Sequence, residues 1–340
     1  MKKLITLSCA AAIVSISAFA SQALIEKARS AGLKPISYKT IKELDTKENP
    51  LTPAKIKLGQ MLYFEPRLSK SGLISCNTCH NLGLGGADGV PVAIGHKWTA
   101  NPHHLNSPTV YNAVLANAQF WDGRSPHLED QAKGPMVAPP EMAIDPKIAE
   151  ERLKSIPTYV ELFKKAFPQE KEPITFDNIA KAIGAFERTL ITPSRFDAFL
   201  RGKTNALTKE EKEGLALFID KGCTSCHTGQ ALGGTMQPFP AVKPYPYAHV
   251  GDFKGDKDGR VKVPTLRNIT ETAPYFHNGA IWTLAEAIKT MGSTQLGIEI
   301  SDAEAAKIST FLGSLTGKKP AIIYPILPAS TLSTPKPDAN

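Results

Sequence analysis

Four cysteines of this chain fall into two like frames, Cys76-Asn77-Thr78-Cys79-His80 and Cys223-Thr224-Ser225-Cys226-His227. A C-x-x-C-H frame is the attachment site of c-type haem. Two thiols add across the two vinyl groups of the porphyrin, and the adjacent histidine binds the iron from the proximal side. Other uses of paired cysteines fit worse. A four-cysteine zinc site keeps its pairs about 15–20 residues apart, whereas Cys76 and Cys223 lie 147 positions apart. A thioredoxin-like site needs a βαβ context, and two vicinal disulfides would leave both histidines unexplained. The chain is therefore expected to fold around two covalently held haems.

The fifth cysteine, Cys9, belongs to a different segment. Lys2 and Lys3 precede an apolar run from Leu4 to Ala18, and Ala18-Phe19-Ala20 is a small-x-small cleavage site. This is a signal peptide over residues 1–20, cut before Ser21, and it directs the chain to the periplasm. No later stretch is long and apolar enough to span a bilayer. Cleavage removes Cys9, so every remaining cysteine lies in a haem frame. It also removes two lysines, taking the formal charge from +8 to +6. In an exported chain, a modest excess of that size argues against nucleic acid as a partner. At 340 residues, 42% apolar and 21% charged, the sequence is that of a globular protein of about two domains.

A weak internal repeat supports the same division. Thr52 and Pro53 open one helical pattern as N-cap and first helical residue. Thr208 and Glu211 form a capping box at the start of a matching pattern. Each leads into its C-x-x-C-H frame. A later helix follows in each half: Asp177 to Thr189, with Ile179, Ile183 and Phe186 on one face, and a segment capped by Ser301 and Glu304 that carries Ile308, Phe311 and Leu312. Helix, haem frame, long loops, helix is the order of a cytochrome c domain. The expected fold is mainly α: two cytochrome c-like domains over residues 21–192 and 193–318, and an extended proline-rich tail over 319–340 that packs on the first domain or frays.

The second axial ligand separates an electron carrier from an enzyme, since an open or openable position permits peroxide chemistry. Met291, 64 residues after His227 and just before the last capped helix, stands where a cytochrome c places its axial methionine. Met236 is a poorer choice. In the first half His96, His103, His104, His127, Met136 and Met142 all remain candidates. Arg67, Arg124 and Arg267 are candidate partners for haem propionates.

The ordered series CNTCH, IGH (94–96), NSPTVYNA (106–113), FWDGR (120–124), DQAKGP (130–135), CTSCH, VPTLRN (263–268), PYFHNGA (274–280) and MGSTQLG (291–297) closely resembles the bacterial dihaem cytochrome c peroxidases over nearly the whole mature chain. The resemblance implies reduction of hydrogen peroxide to water, with electrons from a small cytochrome c or cupredoxin. It implies a low-potential, peroxidatic N-terminal haem with His80 proximal and His96 as a removable distal ligand, and Glu141 and Gln131 lining the emptied pocket. It implies a high-potential C-terminal haem ligated by His227 and Met291, with Trp121 between the haems. A calcium ion would be held by Asn106 and the backbone of Thr272 and Pro274, and relatives are commonly homodimers. A dihaem carrier, and a dihaem oxidase of a protein or organic substrate, are the other readings. The resembling oxidases have tyrosine where Met291 stands.

Overall fold

The computed structural model describes residues 19–37 and 40–340. Cys9 and nearly all of the expected signal segment lie outside them. A helix over 19–30 (α1) precedes α2 (Thr40–Glu43), α3 (Pro53–Tyr63), the one-turn α4 (Cys76–Cys79), α5 (Leu128–Val137), α6 (Pro146–Lys154), α7 (Pro157–Ala166), α8 (Phe176–Glu187) and α9 (Arg195–Leu200). Then come α10 (Lys209–Asp220), a two-stranded antiparallel ribbon of β1 (Met236–Pro238) and β2 (Arg260–Lys262), α11 (Leu284–Met291) and α12 (Asp302–Gly313). The fold is mainly α, as the sequence pattern predicts. The caps agree as well: Thr52 accepts from the Lys55 N–H, and capping boxes open α10 (Thr208/Glu211) and α12 (Ser301/Glu304).

Two helix crossings carry this architecture, and each is built on a glycine. At α3 against α8, a Cβ on Gly59 would stand 1.8 Å from the Ala182 carbonyl oxygen and 3.0 Å from the Phe186 side chain. At α10 against α12, a Cβ on Gly214 would stand 2.1 Å from the Lys307 carbonyl oxygen and 2.8 Å from the Phe311 side chain. No side chain fits at either point, so the backbones touch and the neighbouring phenylalanine closes the crossing. The internal repeat is thus a repeated packing contact.

Each crossing seeds its own core. Leu58, Leu62, Tyr63, Ile179, Ile183 and Phe186 belong to the first, Leu215, Phe218, Ile308, Phe311 and Leu312 to the second. The ends of the chain change sides. Ile25 and Ala28 of α1, with Leu33, are buried in the second core beside Phe196 and Phe199 of α9. Lys34 donates to the Gly229 carbonyl, and the Ile36 N–H to Asp197. The last twenty-odd residues run back over the first half. Arg152, almost wholly buried, donates to the carbonyls of Pro335 (3.2 Å) and Lys336 (3.0 Å) as well as those of Arg67, Ser69 and Lys70. Gln60 donates to the Ile323 carbonyl, and Phe64 packs on Tyr324.

Replacing Gly214 with valine is expected to destabilise the protein by about 1–3 kcal/mol, because the Lys307 carbonyl is backbone and must shift. Alanine at Gly313, where nothing lies within 4 Å of the added Cβ, is the matched control and should be neutral or slightly stabilising. Denaturant unfolding of the two variants checks both signs.

Candidate active site

The loops after the two haem frames enclose one continuous cavity of about 870 Å³, lined by both His80 and His227. That volume is near the upper end of the range for small-molecule sites, about 300–1,000 Å³. Each histidine is aimed by a backbone carbonyl. His80 Nδ1 lies 2.9 Å from the Pro108 oxygen and His227 Nδ1 2.9 Å from the Leu232 oxygen. With Nδ1 occupied, Nε2 is the atom left to bind a metal, and the ring orientation is fixed. Burial lowers the pKa of both imidazoles, which keeps them in the neutral, ligating form.

The four frame cysteines are not joined in disulfides. Burial pushes the Cys79 thiol up to about 12 and the Cys223 thiol to about 11. Protonated and unpaired, these thiols are available for addition across haem vinyl groups. Carbonyl-held neutral imidazoles, unpaired thiols and a mainly apolar cavity together fit two c-type haems.

The polar groups on the cavity wall divide by position. Gln131 and Glu141 line it together with His80 and Cys79. Glu141 follows Pro139 and Pro140, and burial raises its carboxyl pKa while Arg124 opposes the rise. Met291 lines the same cavity together with His227, Cys223 and Cys226. It ends α11 where the helix widens into a π turn over Gly292–Leu296. Trp121 is buried on the wall, and its Nε1 donates to the Asn106 carbonyl at 2.9 Å. Asn106, Thr272 and Pro274 line the cavity as well. The Asn106 amide nitrogen donates to the Val90 carbonyl at 2.8 Å, which leaves its oxygen as the atom suited to a hard cation.

His96 is placed differently. It is buried, but it is not among the residues lining the cavity, and its Nδ1 has no hydrogen-bond partner. Its backbone N–H donates to the Glu141 carbonyl at 2.7 Å. Gly95 makes this contact possible, since a Cβ there would stand 2.1 Å from the Pro140 oxygen. Lys97 and Trp98 follow in left-handed conformations, φ 59° and 56°, each costing of the order of 1 kcal/mol. Of the other candidate ligands, His127 caps α5, Met136 and Met142 lie in the first core, Met236 packs on Gly123, and His104 does not line the cavity; His103 does line it, paired there with Asp252.

The structure also corrects the arginine assignments. Arg67 is bound in two bonds to Glu65, and the fully buried Arg267 is bound in two to Asp197; neither lines the cavity. Arg124 does line it, but its guanidinium is held by Asp122 at 2.9 Å and covers the Phe120 ring. These carboxylates already neutralise the three cations.

Sequence reading missed a second repeat that shapes the wall. Pro108-Thr109-Val110-Tyr111-Asn112 and Pro264-Thr265-Leu266-Arg267-Asn268 fold alike. Each threonine hydroxyl donates to a carbonyl of the loop after its haem frame, Gly85 or Ala231, and accepts from the N–H two residues on. Each asparagine is left-handed and bonds Thr192. Likewise Phe120-Trp121-Asp122-Gly123 matches Phe276-His277-Asn278-Gly279, with phenylalanine and glycine at positive φ in both. His277 is thus the counterpart of Trp121, and the two rings meet edge-to-face at 6.3 Å. The spacing P-T-x-x-N was the signal that would have found it.

Glu187, missed too, ends α8 on the cavity wall with Oε2 buried and unpartnered. Burial and the like charge of Glu129 raise its pKa to about 8. The folded state therefore holds this proton more tightly than the unfolded chain, and the associated stability is lost as pH rises from the ordinary carboxyl range through about 8. Glu187→Gln is expected to flatten that loss, so that variant and native protein differ more at pH 8 than at pH 5. Thermal unfolding at the two pH values measures it; equal differences would count against a neutral Glu187.

Comparison with known proteins places this geometry. Residues 53–205 match the family model described as di-haem cytochrome c peroxidase, and residues 211–316 match that for cytochrome c. The chain is 46% identical to cytochrome c551 peroxidase of Pseudomonas aeruginosa, over 91% of each chain. It is 49% identical to cytochrome c551 peroxidase of Nitrosomonas europaea, over 82% of this chain and 85% of that one. Among solved structures, a MauG-like protein associated with microbial copper homeostasis superposes with a TM-score of 0.71 at 27% identity, covering 84% of this chain and 93% of that one. With two haem frames opening on one cavity, the chain belongs to the di-haem cytochrome c peroxidase family, oxidoreductases that carry two c-type haems and act on hydrogen peroxide.

Proposed function

We propose that hydrogen peroxide is reduced to two waters on the side of the cavity lined by His80, Gln131 and Glu141, with electrons entering singly on the side lined by His227 and Met291. The observation that carries this reading is the grouping on one wall of a half-buried carboxyl, mounted after two prolines, with the first proximal histidine. The bound haems supply the one-electron redox chemistry. The protein's own part is to bind, orient and move protons. Glu141 takes the proton of the inner peroxide oxygen and delivers it to the outer one as the O–O bond breaks, so that the outer oxygen leaves as water; the two electrons and two further protons from solvent turn the inner oxygen into the second water. A carboxyl raised by burial towards the working pH suits both halves of that transfer. Gln131 holds the substrate by a hydrogen bond that does not depend on charge. Trp121 couples the two sides.

In this reading His96 would be the removable ligand of the first haem iron, and its place off the cavity wall would be the released position. Its backbone bond to the Glu141 carbonyl supports a mechanical link, so that a shift of the His96 loop also re-aims the acid–base group. The strained Lys97 and Trp98 favour such a shift. A calcium ion would be held by the Asn106 oxygen and the Thr272 and Pro274 carbonyls, hard donors of residues that line the shared cavity. The protein works in the periplasm as a homodimer and takes electrons from a small cytochrome c or a cupredoxin. Its units divide near residue 192, with the expected first unit 21–192 corrected at its start: the segment up to Ile36 closes the second unit, 193–318, while the tail 319–340 packs on the first.

Glu141→Gln is expected to lower peroxide turnover by about 10²–10⁴-fold, with the absorption spectrum of both haems unchanged. Oxidation of a reduced cytochrome donor measures it, and unchanged turnover would remove Glu141 from the chemistry.

A further inference from the structure

Among the described cationic side chains of the cavity wall, Lys262 alone is buried without a partner. It ends β2, is 8% exposed, and no carboxylate lies within ion-pairing distance of it among the described residues. Asp122 attracts it without pairing with it, since the Asp122 oxygens are held by Arg124 at 2.9 and 3.0 Å. Arg67, Arg188 and Arg267 are matched to Glu65, Glu129 and Asp197. Lys254, also on the wall, is exposed to solvent. An isolated ammonium is costly to bury unless an anion meets it. The cavity receives two haems, and each brings two carboxylates into an otherwise apolar space.

We infer that the Lys262 ammonium is the counter-charge of a propionate of the N-terminal haem, and so a positioning residue for that cofactor. This rests on the two-haem reading of the cavity. The side follows from the geometry. The Lys262 N–H donates to the Trp121 carbonyl at 2.7 Å, tying β2 of the second half to the wall of the first. A cation beside a propionate favours the reduced iron, so its removal lowers the potential of that haem and spares the other. The backbone bond survives substitution, which leaves the lysine side chain as the variable.

Redox titration of the holoprotein, followed by absorption and electron paramagnetic resonance, tests this in Lys262→Met and Lys262→Arg. Methionine is expected to lower the midpoint potential of the N-terminal haem and leave the C-terminal one unmoved; arginine, which keeps the charge, is expected to hold the native value. An unmoved N-terminal potential in the methionine variant overturns the inference, as does an equal fall in both variants, which would mark a packing effect. If the methionine variant does not retain both haems, the arginine variant decides. Native haem content and native potential there support the pairing, and loss of haem there as well overturns it. Loss of one haem from the native protein under the same conditions would instead count against the two-haem reading itself.

Discussion

The cavity exists because two pairs of helices are allowed to touch through their backbones. At Gly59 and at Gly214 an added carbon would stand about 2 Å from a carbonyl of the opposite helix. The helices therefore cross closer than side chains permit, and the phenylalanines at 186 and 311 lock the angle. With the crossings fixed, the loops after each haem frame have little choice of course. They close over the same space, where Pro108 and Leu232 each present a carbonyl to a histidine. Orientation of the proximal imidazoles is thus a consequence of helix packing at a distance, transmitted through turns whose asparagines share Thr192.

Much of this was legible in the sequence, and the physical reason is covalency. A C-x-x-C-H frame fixes the cofactor, the proximal ligand and the local turn in five residues, so two such frames announce two haem domains with little help from the rest. Helix starts were legible for a similar reason: Thr52, Thr208 and Ser301 cap through their own side chains, and the rule is local. Backbone acceptors were not legible. Any residue has a carbonyl, so nothing marks Pro108 or Leu232 as the groups that aim His80 and His227. Burial partners failed too. Arg67 and Arg267 carry the charge a propionate wants, but the sequence does not say that Glu65 and Asp197 reach them first. Spacing puts His96 near His80, but it does not show that the His96 N–H is tied to the Glu141 carbonyl, with the residue off the cavity wall.

The electrostatics of the wall follow one rule: each charge on it is either neutralised by protein or left for something else. Arg124 is answered by Asp122. Glu187 has no cation and holds its proton. Glu141 sits between these cases, raised by burial and pulled back by a single arginine, which is the setting a group needs if it is to exchange protons. A wall composed this way is selective about what completes it. Small neutral peroxide crosses an apolar, sparsely charged space more readily than an ionic substrate would.

The crossing-over of the chain ends alters what a domain means here. The first residues after the expected leader lie in the second core, and the last residues are stitched to the first half by the guanidinium of Arg152. Each half thus borrows its closing segment from the far end of the polypeptide. Tension on either end of the polypeptide is therefore felt in the opposite half: a pull at the start strips the lid from the second core, and a pull at the end draws the clasp from the first.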